Sequence, residues 1–270
     1  MTAGDQDPRR LYPLRVPSWS EIPNLVHGFL GREHSLPPGP FTMRHIRAAL
    51  ARAGETPTSI LAVQQVHGAR VVTTEASEVE PAARGERTLP HLFPEADAMV
   101  SASAGVLLTV RTADCVPILL VAPRAHAVAA VHAGWQGTLG GVVTSTLGVL
   151  GERYGAGPAA VCAALGPAID GCCYEFGAER FDSFVVKFGR AAERAWQSAT
   201  RGDRSAVYHP GRGHLDLRLL NRLLLEAAGV PPASISCLGP CTAEHPSELH
   251  SYRRDGPRAG RQLSYIGWRS

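Results

Sequence analysis

The chain has 270 residues, of which 44% are hydrophobic and 19% charged, with a formal net charge of +3. Such a chain can bury a full core without disulfides or structural metals, and its charge is too small to argue for nucleic acid or a membrane surface. Lys187 is the only lysine, so Schiff-base chemistry and a phosphate-loop lysine have almost no candidate.

Residues 1–20 are polar and proline-bearing and read as a loosely ordered lead-in to one domain over 21–270. No apolar run follows the N-terminal charges and no segment is long and apolar enough to span a bilayer, so a cytoplasmic location without membrane contact is expected. Loop composition marks GREHSLPPGPF (31–41), and MRHIRAALARAG (43–54) reads as a helix ending at Gly54. LAVQQV and RVVTTE flank His67-Gly68 like the arms of a hairpin, or like one strand interrupted by a bulge. After a polar insert over about 75–94, ADAMVS, GVLLTV, VPILLVA and AVAAVHA read as strands buried on both faces. GWQGTLGG leads into a helix over roughly 139–154. In the second half AAVCAALG reads as a strand, residues 177–196 as one amphipathic helix, HLDLRLLNRLLLEAAG as another, and SISCLG and QLSYIGW as closing strands. Dense strands without a βαβ rhythm indicate an α+β domain, with helices covering mixed β-sheets.

His67, Cys115 and His132 all fall at the ends of strand-like runs, where side chains distant in sequence can share a rim. Two imidazoles and a thiolate form a zinc set that leaves a fourth position open, as catalytic sites do. Their separations of 48 and 17 positions give no local chelate spacing, and Cys115 reads equally well as a small buried hydrophobe. Cys237, Cys241, His245 and His250 form a more compact rival, C-x3-C-x3-H-x4-H, interrupted by Pro240 and Pro246. The adjacent Cys172 and Cys173 point apart in any regular backbone and read as neither a disulfide nor a joint ligand pair. The basic segment SYRRDGPRAGR (251–261) reads mostly as a solvated loop, from which one or two arginines reach a phosphate.

QQVHGARVV, ADAMVSASAGVLLTVRTADCVPILL, AVAAVHAGWQGT, LGPAIDGCCYEFG, HLDLRLLN and SYRRDG…GRQLSYI together resemble the laccase-domain family, from about residue 25 to the C-terminus. Members of that family were first called polyphenol oxidases and are now described as purine nucleoside phosphorylases with adenosine deaminase activity. The resemblance implies an α/β/β/α layered domain, with sheets stacked between helices as in a deamidating toxin that uses a Cys–His pair. It also implies metal ligands at His67, Cys115 and His132, holding zinc (copper is the alternative), and a demoted C-terminal cluster. Several positions depart from the family pattern: Gln136 stands where arginine is common, the N-terminal GGVS and SLNL segments are absent, and Leu249 and His250 replace phenylalanines. These differences bear on substrate preference more than on the metal.

The function implied is phosphorolysis of purine nucleosides by inorganic phosphate, with adenosine deamination by water activated at the metal. Cys115, Asp114 and His132 are the expected catalytic residues, with Asp114 an acid/base or a group that orients the ligands. Arg47, Gln65, Arg253 and Arg254 are expected to bind substrate or phosphate, and the chain to be a monomer or weak homo-oligomer. The competing readings are a metal-independent cysteine hydrolase using Cys115 and His132, and copper-dependent phenol oxidation. The latter is disfavoured because none of the 11 histidines forms an H-x-H pair.

Overall fold

The computed structural model describes residues 12–39, 42–74, 94–198 and 212–270. The insert beginning at residue 75 and the first eleven residues of the lead-in lie outside these. Alternation along the central apolar runs organises the fold. In β6 (Val116–Ala122), Ile118 and Leu120 belong to one hydrophobic cluster and Leu119 and Val121 to another, because successive side chains leave opposite faces of a strand. A strand that is apolar throughout can therefore serve two cores.

β6 lies in a six-stranded sheet of order β12-β8-β6-β7-β4-β3, built from Ile235–Cys237, Cys162–Leu165, Val116–Ala122, Ala127–Ala133, Ala98–Ser101 and Val71–Thr73. A four-stranded sheet stacks on it, in the order β1 (Leu25–Phe29), β13 (Gln262–Trp268), β5 (Val106–Thr112), β2 (Ser59–Leu61). Met99, Leu119 and Val121 of the larger sheet share the inter-sheet core with Leu108, Val110 and Ile266 of the smaller. Helix α1 (Met43–Arg52) covers the outer face of the smaller sheet, where Ile46 and Leu50 join a cluster with Leu263 and Tyr265. On the far side of the larger sheet, α3 (Val142–Tyr154), α4 (Ala178–Phe188) and α6 (Leu217–Ala227) supply Leu147, Phe184 and Leu220. The order helix, sheet, sheet, helix has the α+β class read from the strand pattern and the layering that the family resemblance implies. A third sheet of order β10 (Trp196–Ser198), β11 (Arg212–Leu215), β9 (Glu175–Gly177) closes one flank. No helix of the described residues is long and apolar enough to cross a membrane.

Four expectations need correction. The arms around His67 form neither a hairpin nor a bulged strand: β2 pairs parallel with β5 in one sheet and β3 pairs parallel with β4 in the other, so residues 62–70 cross between sheets. Helix 139–154 is two helices, α2 (Trp135–Gly140) and α3, parted at Gly141, whose φ of 91° belongs to the left-handed region that favours glycine. Gly189, with φ 51°, likewise divides 177–196 into α4 and α5 (Arg190–Arg194). The lead-in is held from residue 12 onward, with Val16 and Trp19 buried in the inter-sheet core.

Two buried histidines make the fold acid-sensitive. The His27 imidazole, beneath Trp19, accepts the Val16 N–H at 2.9 Å, and burial with Arg15 nearby pushes its pKa down to about 4. Burial and Arg32 lower His250 similarly, to about 4. In the unfolded chain both take up protons near pH 6.5, whereas the folded chain resists until about 4. Their contribution is thus intact above pH 6.5 and is lost as pH falls to 4, by up to about 3 kcal/mol per histidine. Urea denaturation across this range should show a shallower loss for His27→Gln than for the wild type. Equal slopes would remove His27 from the explanation.

Candidate functional site

Residues 62–70 carry His67 across the gap between sheets, the turn between β5 and β6 carries Asp114 and Cys115, and β7 carries His132. The potential ligand atoms of His67, Cys115 and His132 all lie within 4.8 Å of one another, and the two imidazoles meet edge to face with centroids 4.9 Å apart. The trio proposed from strand ends is therefore brought together.

Asp97, which the sequence reading passed over, organises it. The carboxylate is fully buried at the head of β4. Oδ1 accepts from the His67 N–H at 2.9 Å and from His132 Nδ1 at 2.7 Å, while Oδ2 accepts from Val66 N–H at 3.2 Å and Gly68 N–H at 2.6 Å. Burial acts to raise its pKa, but His132 and the backbone N–H groups outweigh it and hold the carboxyl below its ordinary value. Because the partner at Nδ1 is a carboxylate, Nδ1 carries the proton and Nε2 is left with a lone pair for a cation. The same carboxylate holds His67 at φ 61°, a conformation that costs a non-glycine residue roughly 1–3 kcal/mol. A buried acid opening an otherwise apolar strand, in ADAMVS, was the available signal.

The space between the three side chains fits a metal ion. A Cβ built on Gly134 would stand 3.0 Å from His67 Cδ2, 3.1 Å from Cys115 Sγ and 3.9 Å from His132 Cε1. Glycine at the start of α2 thus keeps a cradle open among one thiol and two imidazoles. Gly137 lets α2 lie against the same loop, since a Cβ there would meet the Gly68 carbonyl oxygen at 2.8 Å. Without a cation, burial and then the neighbouring Asp114 push the Cys115 thiol up to about 12. A coordinated cation reverses that, because a metal-bound thiol is deprotonated outright.

The trio opens into a cavity of about 650 Å³, also lined by Gln65, Arg111, Asp114, Tyr174, Tyr252, Arg253 and Arg261. Arg111 interrupts the apolar run of β5, and burial, with Arg261 nearby, lowers its pKa to about 10. The guanidinium of Arg253 lies over the Tyr174 ring at 5.0 Å and that of Arg261 over Tyr252 at 5.8 Å. Two arginines of the 251–261 segment, Arg253 and Arg261, therefore reach the site.

Other expectations are redirected. Arg254 does not line the cavity: its guanidinium is bound to the Asp255 carboxylate and to the carbonyls of Thr242, Ala243 and Leu249. Arg47 lies half-buried on α1 and is also absent from the lining. Gln65 is at the wall, but both ends of its amide pair with the Arg111 backbone, at 2.8 and 2.9 Å, latching the crossing segment onto β5. Asp114, expected as an acid or base, has Oδ1 accepting from Thr242 Oγ1 at 2.6 Å and Oδ2 accepting from the Arg253 N–H at 2.6 Å. These bonds suit it to fixing the arginine segment.

The rival C-terminal cluster does not assemble. His250 is buried, with Nε2 2.9 Å from Ser35 Oγ and Nδ1 accepting the Gly260 N–H, while His245 faces Glu248. Among the described residues, only Cys241 of the four belongs to a ligand group, and its companions are Cys172, Cys173 and Glu244. Cys172 and Cys173 do approach each other, Sγ to Sγ at 3.4 Å, because they occupy a turn and not a regular element.

Fold and site together define a layered α+β protein in which two imidazoles and a thiol converge at a cationic, tyrosine-lined cavity. The chain belongs to the family described as multi-copper polyphenol oxidoreductase laccase, whose model matches residues 40–269. It is similar to a protein of Deinococcus radiodurans named purine nucleoside phosphorylase, at 35% identity over 261 residues, 91% of this chain and 90% of that one. It is also similar to a protein named adenosine deaminase RL5 from an unknown prokaryotic organism, at 37% identity over 170 residues, 63% of this chain and 61% of that one. Among solved structures, YlmD from Geobacillus stearothermophilus superposes with a TM-score of 0.78 at 30% identity, covering 92% of this chain and 93% of that one. Membership implies a metal-binding site, for which the described residues supply candidate His/Cys groups.

Proposed function

We propose that the protein cleaves purine nucleosides with inorganic phosphate and deaminates adenosine in the same cavity, using a zinc ion held by His67, Cys115 and His132. The observation that carries this reading is the convergence of that trio with three guanidiniums and two tyrosines in one cavity of about 650 Å³, a size suited to a nucleoside. Names borne by relatives of about 35% identity agree with it.

When bound, zinc supplies a Lewis acid and lowers the pKa of water, as deamination requires. The remaining roles fall to the chain itself. Arg111, Arg253 and Arg261 are assigned to the phosphate, whose charge they neutralise while its oxygen attacks ribose C1′ and the bond to the base breaks. Burial and then the nearby Arg261 disfavour the charge on Arg111, and an anion in the cavity would relieve both. Tyr174 and Tyr252, each with a guanidinium over one ring face, are assigned to the purine. Asp114 positions Arg253 through its backbone N–H, and Asp97 fixes the His132 tautomer.

The test is to incubate purified protein with adenosine, with and without phosphate, and to follow adenine, ribose 1-phosphate and inosine by chromatography. Phosphate-dependent adenine formation and phosphate-independent inosine formation are expected, and no product above a Cys115→Ala control would reject the reading. Removal of one charged hydrogen-bonding group, in Arg253→Ala or Arg261→Ala, is expected to lower kcat/KM for phosphate roughly 10–100-fold. Inosine formation should change far less. An equal loss in both reactions would move those arginines from phosphate to nucleoside.

A cysteine hydrolase using Cys115 and His132 is the second reading, favoured by the Asp97–His132 hydrogen bond. Against it, a buried thiol pushed up to about 12 is not a thiolate at neutral pH.

A further inference from the structure

Cys172, Cys173, Cys241 and Glu244 each offer a ligand atom, and all four atoms lie within 4.8 Å of one another. Cys172 Sγ is 3.4 Å from Cys173 Sγ and 3.4 Å from Glu244 Oε2. Four ligands on a tetrahedral zinc ion, with Zn–S bonds of about 2.3 Å, stand about 3.8 Å apart, so closure needs only small side-chain rotations.

The two turns that carry these residues are already fastened together. Thr242 N–H donates to the Ala168 carbonyl at 3.0 Å, and Asp170 N–H points at Cys241 Sγ from 3.5 Å. Arg218 ties the Asp170 carboxylate to the carbonyls of Leu238 and Gly239. The backbone therefore needs no reorganisation to present three sulfurs and an oxygen to one point. Cys241 is buried while Cys172 and Glu244 are exposed, which leaves an entry path for an ion. A second observation concerns charge. Oδ1 of Asp170 is buried without a hydrogen-bond partner, and Asp170, Asp216 and Glu244 crowd the region around Arg218. Three carboxyls there face Arg218, while Arg254 stands near Cys241.

We infer that Cys172, Cys173, Cys241 and Glu244 form a second metal site, closed and tetrahedral, for a zinc-like divalent cation. The carboxylate oxygen favours zinc over Cu(I), which sulfur alone would suit. With four protein ligands no position is left for substrate, so the role is structural. The site borders the reaction cavity: Cys173 precedes the cavity-lining Tyr174, and Cys241 precedes Thr242, which donates to Asp114. An ion there would brace the wall that holds Asp114 and the arginine segment.

The experiment uses reduced, metal-free protein titrated with Zn²⁺, followed by alkylation and peptide mass spectrometry of each cysteine. Two equivalents of zinc are expected, with Cys172 and Cys173 alkylated at least tenfold more slowly in its presence and Cys162 and Cys237 unchanged. A His67→Ala/Cys115→Ala variant should keep one equivalent and the same protection, whether or not the chain proves to act on nucleosides. The inference is overturned if the wild type binds one equivalent and Cys172 and Cys173 react equally with and without zinc. It is also overturned if these cysteines form a disulfide in air and zinc gives no protection under reductant. Both criteria are read on the native chain, so misfolding of a variant does not leave the question open.

Discussion

Asp97→Asn is expected to lower metal affinity roughly 10–100-fold and to destabilise the fold by about 3 kcal/mol. Four donors converge on this carboxylate, two at each oxygen. An amide has one oxygen, so in either orientation its NH2 group faces two hydrogen-bond donors and leaves them unsatisfied. If the amide oxygen faces His132, the N–H groups of Val66 and Gly68 lose their acceptor. If it faces those N–H groups, His132 is free to turn and present the wrong nitrogen to the metal. Competition with a chelator would give the affinity and urea denaturation the stability. Retained affinity together with a stability change below 0.5 kcal/mol, the size of an ordinary surface substitution, would show that Asp97 is not the organiser.

Gly134→Ala separates the metal centre from the fold. Gly134 has φ −78° and ψ 173°, extended backbone that alanine adopts freely, so little strain arises there. The new methyl group would press on His67 and Cys115 from 3.0 and 3.1 Å, displacing ligands by a few tenths of an ångström. Metal geometry tolerates such shifts poorly, and a fall of roughly tenfold or more in zinc affinity is expected, with activity lost in proportion. Denaturation should find stability within about 1 kcal/mol of wild type, since helix-start preferences are of that size. Unimpaired zinc binding would show that the cradle at Gly134 is not where the ion sits.

The two variants differ in what they disturb. Asp97 supports both the backbone of the crossing segment and the imidazole, so stability and affinity fall together. Gly134 contributes only empty space, so affinity alone falls.

The α+β class was legible because β5, β6 and β7 open on runs that are apolar nearly throughout, as strands buried on both faces are, whereas the layering was implied by the family resemblance. Helices α1 and α6 were legible from their apolar faces. The division of longer helices at Gly141 and Gly189 was not, because glycine in a helical run signals a break only once its φ is known. The partners of β2 and β3 were equally hidden: short strands pair according to what the rest of the sheet leaves open, and that is a long-range matter.

For the site, the residue types and the strand-end positions of His67, Cys115 and His132 were written in the sequence, as were the motifs that resemble the laccase-domain family. Tertiary structure decided which cationic and sulfur groups keep them company. Arg253 and Arg254 are neighbours of identical chemistry, yet one lies over Tyr174 in the cavity and the other is bound to three carbonyls and Asp255. Only the path of the chain through α7 (Tyr252–Asp255) distinguishes them. Likewise Cys241 left the histidines near it in sequence for a cysteine pair about 70 positions away, because a backbone bridge to Ala168 brings the two turns together. Sequence determines which groups are available for coordination; closeness is set by strand order and turn geometry, which depend on the whole chain at once.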